Sequence, residues 1–378
     1  MSIKKIRVGV IFGGRSGEHE VSIVSAESII NALNKDKYEI VPIGITKTGK
    51  WIAGSNAFEV LRAGTKQILP KYEKMVTPDA TKKGLVQMSS HGSSKQNILG
   101  LDVIIPVVHG PSGEDGTLQG LLELADIPYV GAGVLSSSVA MDKVVSKQLF
   151  IQAGLPVLSC VSFLRSEWQL NRNKILASIK KSLKYPIFVK PANLGSSVGI
   201  GLAKDQRSLI SAILEASRYD RKVLVEQGLT RPREIEIGVL GNSRPEASVP
   251  GEIIPCNEFY DYDAKYIDEN SKAIIPAKLS KSTTNKIKKM AIKAYATIDC
   301  SGMARVDFLI DRKTDEIYLN EINTIPGFTS ISMYPILWEA SGVPYSKLID
   351  KLIKLAIERF NDSRQSLTSY KPKKNWYK

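Results

Sequence analysis

The chain has 378 residues, 43% hydrophobic and 24% charged, enough for about two or three domains whose cores need no covalent staples. Its 52 Lys and Arg against 38 Asp and Glu leave a formal charge of +14, which draws nucleic acid, an anionic membrane face or an acidic small molecule. No apolar run approaches the ~18 residues of a membrane span, and the short run after Met1–Lys5 is not a signal peptide.

Residues up to about Val130 alternate strand and helix. Ile6–Phe12 reads as a buried strand and Gly13–Gly17 as a tight turn. Glu18–Leu33 reads as a helix, with Val21, Val24, Ser25, Ser28, Ile29 and Leu33 near helical spacing. The strand Tyr38–Ile45 completes a βαβ unit and hence a parallel sheet. Arg62–Asn97 is polar, mixed in charge and without steady period, an excursion from the sheet. Leu101–Val108 resumes a buried strand, followed by the turn His109–Gly116, a helix through Leu124 and a short strand Pro128–Val130. From Gly131 the pattern changes to hairpins of β-branched residues. Tyr185–Lys190 and Ile200–Ala203 flank a Gly-Ser loop, and Val223–Glu226 is a further strand. The last third holds a strand Glu234–Leu240, a helix Thr284–Ile298, strands Met303–Ile310 and Glu316–Ile322, and a closing helix Tyr345–Phe360. Ile287, Met290, Ala291, Ala294, Tyr295 and Ile298 mark an apolar stripe, with Lys286, Lys288 and Lys289 off it. Cys160, Cys256 and Cys300 are odd in number and far apart, so a reducing cytoplasm is expected rather than a disulfide framework or a zinc site.

Four segments carry chemistry. A hairpin looping at about Arg312–Glu316 sets Asp307 opposite Glu321 and Arg305 opposite Asn323 on one face, because side chains alternate with period two. Two carboxylates and an amide carbonyl then form a hard oxygen set suited to Mg²⁺ shared with substrate phosphates. The alternative is a solvated polar face over a core of Val306, Phe308, Leu319 and Ile322. In the second segment, Lys190 ends a strand before the loop Asn193–Gly199, where an ammonium, hydroxyls and backbone N–H groups can surround a polyphosphate; an ordinary glycine-rich hairpin loop is the alternative. No G-x-x-x-x-G-K-[ST] occurs and no G-x-G-x-x-G follows the first strand, so P-loop and dinucleotide readings lose support. Third, Gly13–Glu18 and His109–Gly116 both leave the carboxyl end of a parallel strand, where open α/β sheets bind ligands. Glu18 could instead favour the helix dipole, and His109 could be a turn residue. Fourth, the aromatic and charged run Asn257–Tyr266 is a candidate lid, or else an exposed loop.

Taken in order, HGPSGEDGTLQG (109–120), MDK (141–143), KPANLGSSVGIG (190–201), REIEIGVLG (233–241), FYDYDAKY (259–266) and NEINTIPGFTSIS (320–332) resemble the D-alanine–D-alanine ligases of the ATP-grasp superfamily. The resemblance runs from about Val8 to Pro344. It implies an α/β and α+β three-domain ATP-grasp architecture. An N-terminal parallel-sheet, Rossmann-like domain would span 1–131, a small central subdomain 132–226, and a C-terminal subdomain with the metal and catalytic site 227–378, ATP being clamped between the last two. The implied reaction has the carboxylate of one D-alanine attack the γ-phosphate of ATP, after which the amine of a second displaces phosphate from the acyl phosphate, for peptidoglycan precursor synthesis.

By the same resemblance, Lys143, Lys190 and Lys265 contact nucleotide phosphates with Ser197, Glu226 and the Leu229 backbone hold adenine, and Glu234 holds the ribose. Asp307, Glu321 and Asn323 hold two Mg²⁺ (or Mn²⁺), while Arg305 and the Gly327 N–H stabilise the oxyanion. Glu18, near His109, takes the first ammonium, and Ser332 with Arg305 the second carboxylate, with Met333 and Ile331 at its border. Glu18, Ser196 and Tyr266 form a triad, and relatives that make a D-lactate ester carry Phe at the position of Tyr266. The implied partners are ATP and two D-alanines in a cytoplasmic homodimer, without nucleic acid or membrane. Residues 62–97 are longer than in compact relatives, and the basic tail after Phe360 has no implied role. Two alternatives stay open: D-lactate or D-serine as acceptor, and a nucleic-acid binder on a ligase-like scaffold, for which duplex binding would be tight and salt-dependent.

Overall fold

The computed structural model describes residues 4–63, 73–88, 98–254 and 272–370. Strand β1 (Ile6–Gly13), helix α1 (His19–Ala32) and strand β2 (Tyr38–Ile45) form the expected βαβ unit, with the strands parallel from Ile6↔Tyr38 to Gly13↔Ile45. The near-continuous apolar run of β1 suits a strand covered on both faces, and Val8, Val10, Ile11 and Phe12 are fully buried. Strand β3 (Trp51–Ala53) pairs antiparallel with β2, and α2 (Ala57–Ala63) follows. Part of the supposed excursion carries regular structure among the described residues: β4 (Glu73–Val76), β5 (Gly84–Met88) and β6 (Ile98–Gly100) make an antiparallel sheet burying Val76, Leu85 and Val86. Strand β7 (Val103–Pro106) lies parallel to β1, and α3 (Thr117–Leu124) ends where expected. Pro128–Val130 gives only an isolated bridge from Tyr129 to Ile104. Pro128 lacks an N–H, and the chain turns at Gly131, whose φ is +98°.

Hairpins do not take over after Gly131. Helices α4 (Val134–Met141) and α5 (Lys143–Gln152) come first, then β8 (Cys160–Leu164) and α6 (Arg165–Ser182). Next are β9 (Ile187–Pro191), β10 (Gly201–Ala203), α7 (Gln206–Tyr219) and β11 (Lys222–Gln227). Polar residues in the buried faces hide the period of the first two helices: α4 buries Ser136 and Ser137, and α5 buries Lys143, Ser146 and Lys147. Helix α6 is polar nearly all round; the Glu167 carboxylate accepts the Leu164 N–H at 2.6 Å at its start, and Trp168 stacks on Phe163. The expected pair β9 and β10 is antiparallel, in a sheet ordered β10-β9-β11-β8.

The largest sheet has the order β15-β14-β12-β16-β17, built from β12 (Arg233–Leu240), β13 (Glu246–Ala247) beside it, β14 (Gly251–Ile254), β15 (Lys272–Ile274), β16 (Met303–Ile310) and β17 (Ile317–Asn323). Helix α8 (Lys281–Thr297) lays its anticipated stripe against one face, where Ile235, Ile237, Val306, Phe308 and Leu319 are at most 1% exposed. Alternation turns Glu234, Glu236, Arg305 and Asp307 to the other face, and a bulge in β17, where Asp307 pairs with Glu321 but Phe308 with Leu319, brings Glu321 and Asn323 to that face as well. Ile237→Ala, which empties a fully buried site in the middle of this layer, is expected to cost about 2–5 kcal/mol, measured as a lower urea midpoint by circular dichroism. Helix α9 (Met333–Ala340) follows the sheet, and α10 (Tyr345–Ser363) returns to the N-terminal one, where Leu348, Leu352 and Ile353 share a core with Val8, Val10 and Phe12. Tyr38 Oη donates to Asp350 of α10 at 2.8 Å. Among the described residues, no helix is long and apolar enough to cross a membrane.

Candidate active site

The floor of the site is the polar face of β12, β16 and β17. Arg305 pairs with Asn323 and Asp307 with Glu321, the register expected of the hairpin, and Glu236 lies beside Asp307 on the other flank. Arg305 donates from Nε to Asp307 Oδ1 at 2.8 Å and from Nη2 to Oδ2 at 2.7 Å, with Glu236 Oε2 3.1 Å from Nε. Burial alone would disfavour its charge, but Asp307 and Glu236 hold the guanidinium protonated. Beyond β17, Asn323 Oδ1 accepts the Ile325 N–H at 3.0 Å. The chain then folds so tightly that a Cβ on Gly327 would lie 2.8 Å from Ser332 Oγ, which itself accepts the Thr329 N–H at 2.9 Å.

The N-terminal turns close over this floor. Glu18 stands at the start of α1 without capping it, and its carboxylate accepts from the Ser196 hydroxyl of the Gly-Ser loop. His109 is buried, with Nδ1 3.1 Å from Ile325 O and 3.5 Å from Glu114 Oε1. Burial would lower its pKa, but the hydrogen bond to Glu114 and the Glu18 charge raise it. His109 thus packs on the segment that follows Asn323 rather than serving only as a turn residue. Glu18, His109, Ser196, Arg305, Gly327, Ser332 and Met333 line one cavity of about 150 Å³.

A second cavity of about 140 Å³ is lined by Lys143, Lys190, Ser197, Glu226, Leu229, Glu234, Asp307 and Glu321. Both cavities border on Lys143, Ser196, Glu236 and Glu321. Asp142 caps α5 by accepting the Val144 and Val145 N–H groups at 3.1 Å and pairs with Lys222 at 2.5 Å. That cap aims Lys143, which donates to Leu194 O at 2.8 Å and lies 3.5 Å from Glu321.

Deeper in, Glu226 Oε2 accepts from Lys190 at 2.6 Å and Oε1 meets Lys147 at 2.5 Å. Burial would push the Glu226 carboxyl up, yet the two ammonium groups hold it down to about 2. Lys190 is pushed down by burial and brought above its ordinary value by Glu226. A carboxyl depressed in the folded state contributes stability above its unfolded value of 4.5 and loses it as pH falls toward 2. Glu226→Gln is therefore expected to make stability less steep between pH 4.5 and 2, checked by urea midpoints across that range.

Glu114, Glu236 and Lys147 were not anticipated. Lys147 had a usable signal, since it follows Lys143 by four residues and shares its helix face, and Glu236 alternates with Glu234. Lys265, Tyr266 and the rest of the candidate lid at 257–266 lie outside the described residues, as do 371–378 of the tail. The described residues hold no group of three His, Cys, Asp or Glu placed to bind a metal. The donor set is instead Asp307, Glu321 and the Asn323 amide, a hard-oxygen arrangement that fits Mg²⁺ completing its shell with substrate phosphate oxygens and water.

Residues 7–132 match the family described as D-ala D-ala ligase N-terminus, and residues 149–354 match D-ala D-ala ligase C-terminus. The D-alanine–D-alanine ligase of Natranaerobius thermophilus is 51% identical over 368 residues, 97% of this chain and 99% of that one. That of Caldicellulosiruptor bescii is 52% identical over 363 residues, covering 96% and 98%. Among solved structures, the VanG D-Ala:D-Ser ligase from Enterococcus faecalis matches with a TM-score of 0.82 at 36% identity, over 93% of this chain and 100% of that one. The D-alanine-D-alanine ligase from Coxiella burnetii matches with a TM-score of 0.80 at 39% identity, over 96% and 97%.

Proposed function

The chain belongs to the D-alanine–D-alanine ligase family, with the ATP-grasp fold, and from that premise we propose how its two adjoining cavities divide the ATP-dependent ligation of D-alanine for peptidoglycan synthesis. The carrying observation is that the cavities meet over Lys143, Ser196 and Glu321. A carboxylate in the first can there face a phosphate in the second. The first D-alanine places its ammonium on Glu18 beside His109, with its carboxylate toward Lys143. ATP lies in the second cavity, its phosphates near Lys143, Lys190 and Ser197, its ribose at Glu234 and its adenine at Glu226 and the Leu229 backbone. Lys265 and Tyr266 complete the nucleotide contacts and the triad in this reading.

The carboxylate oxygen attacks the γ-phosphorus, the bond to the β-phosphate oxygen breaks, and ADP leaves. The amine of the second D-alanine, its carboxylate on Ser332 and Arg305, then attacks the acyl carbon. Its nitrogen loses a proton and inorganic phosphate departs. Arg305 and the Gly327 N–H face the oxyanion that forms between these events, so catalysis rests on positioning and preorganised charge. Mg²⁺ held by Asp307, Glu321 and Asn323 would supply neutralisation of phosphate charge. The proposed divisions 1–131, 132–226 and 227–378 are supported by the sheets: the β3-β2-β1-β7, β10-β9-β11-β8 and β12–β17 groups fall one to each, save that β11 runs to Gln227.

The test is ATP-dependent phosphate release with D-alanine alone and with L-alanine, D-serine or D-lactate as the second amino or hydroxy acid. D-Alanine is expected to give the fastest release and D-alanyl-D-alanine as product. Preference for D-serine, the acceptor in the name of the Enterococcus faecalis protein, or for D-lactate would replace the dipeptide reading with the corresponding acceptor.

A further inference from the structure

We propose that Lys147 is a positioning residue of the nucleotide site, holding the Glu226 carboxylate charged and fixed so that it presents only acceptors to the purine and steadies Lys190 toward the phosphates. The proposal rests on the placement of the base against Glu226 given above, and goes beyond it in naming what sets that contact. Lys147 is 2% exposed, so its ammonium does not serve solvent or a substrate directly. It meets Glu226 Oε1 at 2.5 Å and donates to Asn320 O at 3.3 Å. One side chain thereby ties α5 to β11 and to β17 at the residue before Glu321, three elements that enclose the second cavity.

The chemistry follows from the order of contacts. Glu226 is 1% exposed and lies between two ammonium groups, with Lys190 on its other oxygen at 2.6 Å. A buried carboxylate keeps its charge only where cations or donors compensate it. While ionised it is acceptor-only, so it welcomes the 6-amino group of adenine and repels a 6-oxo group. Without Lys147, Glu226 would retain a single cation and could rotate or protonate. A protonated carboxyl donates as well as accepts, which removes the discrimination. Lys190, sharing the carboxylate, would lose its fixed position too.

The experiment compares steady-state kinetics with ATP and with inosine triphosphate, which carries oxygen at the 6 position, for the full-length enzyme and Lys147→Met. The variant is expected to raise KM for ATP about tenfold and to cut the ATP-over-inosine triphosphate preference about fivefold or more, with both D-alanine KM values within about twofold. Unchanged KM for ATP with unchanged preference would overturn the role of Lys147, whatever the melting temperature. Glu226→Gln measured alongside separates the two claims. If it alters both nucleotide parameters while Lys147→Met alters neither, only the role of Lys147 fails; if it alters neither, the placement of the base at Glu226 fails as well. Should Lys147→Met not fold, the Lys147→Met/Glu226→Gln double variant removes the uncompensated carboxylate. Its nucleotide parameters are expected to equal those of Glu226→Gln alone, because Lys147 acts through Glu226, and a further loss would overturn the proposal.

Discussion

Arg305→Met is expected to lower kcat by about 10²–10³-fold, the cost of removing one oxyanion donor, and to raise KM for the second D-alanine in addition. Arg305 is the only cation that the described hairpin face directs among Glu236, Asp307 and Glu321, and its guanidinium is bonded at 2.8 and 2.7 Å to Asp307. Those bonds fix the plane of the fork. Arg305→Lys tests geometry against charge: a lysine keeps one positive charge but cannot bond Asp307 through two parallel donors. It should recover a minor part of the rate, with kcat still well below that of the parent enzyme. Removing the cation also leaves three acids facing one another, so the melting temperature is measured for both variants. A kcat within tenfold of the parent in folded Arg305→Met would remove Arg305 from the oxyanion role.

How much of this site could be read beforehand depended on how local each signal is. The Arg305–Asn323 and Asp307–Glu321 pairs follow from period-two alternation across one short hairpin, and the observed register agrees. The apolar stripe of α8 is likewise a local pattern, and its residues are buried. The contact between Glu18 and Ser196 joins positions 178 residues apart, and no spacing rule reaches that far; only the resemblance suggested it. Lys147 and Glu236 were missed because their meaning lies in tertiary neighbours. A buried lysine in α5 interrupts the apolar face by which a helix is recognised, and that interruption concealed both the helix and the residue. The same cause explains α4, which turns Ser136 and Ser137 inward beside Ala140 and Met141. Functional sites break the patterns that fold the rest of the chain, and the stretch where periodicity failed, residues 134 to 152, supplies Ala140 and Met141 to the first cavity and Lys143 to both.

Glu321→Gln is expected to weaken metal binding by at least about 10²-fold, with turnover falling by about 10³-fold or more. The substitution keeps the shape of the side chain while exchanging one acceptor oxygen for a donor NH2, and β17 pairs with β16 through its backbone, so that pairing should be retained. The substitution removes one of the two negative charges in the set, the one left on Asp307 being shared with Arg305 and the third donor, Asn323, being neutral. It also removes the pull of Glu321 on Lys143, 3.5 Å away, whose ammonium still donates to Leu194 O. A variant that lost only this ion pair would still bind nucleotide, whereas loss of a metal ligand lowers binding of the metal–nucleotide complex more than that of the free nucleotide. Two readouts therefore bear on the role. Mn²⁺ binding in the presence of ADP, followed by electron paramagnetic resonance, should drop, while ADP binding without divalent metal should stay within about threefold, as a charge partly exposed to solvent contributes little by itself. Mn²⁺ affinity equal to the parent's, or near-normal turnover at saturating Mg²⁺, would place the metal elsewhere, and the pairing of Asp307 with Glu321 would then serve Arg305 alone.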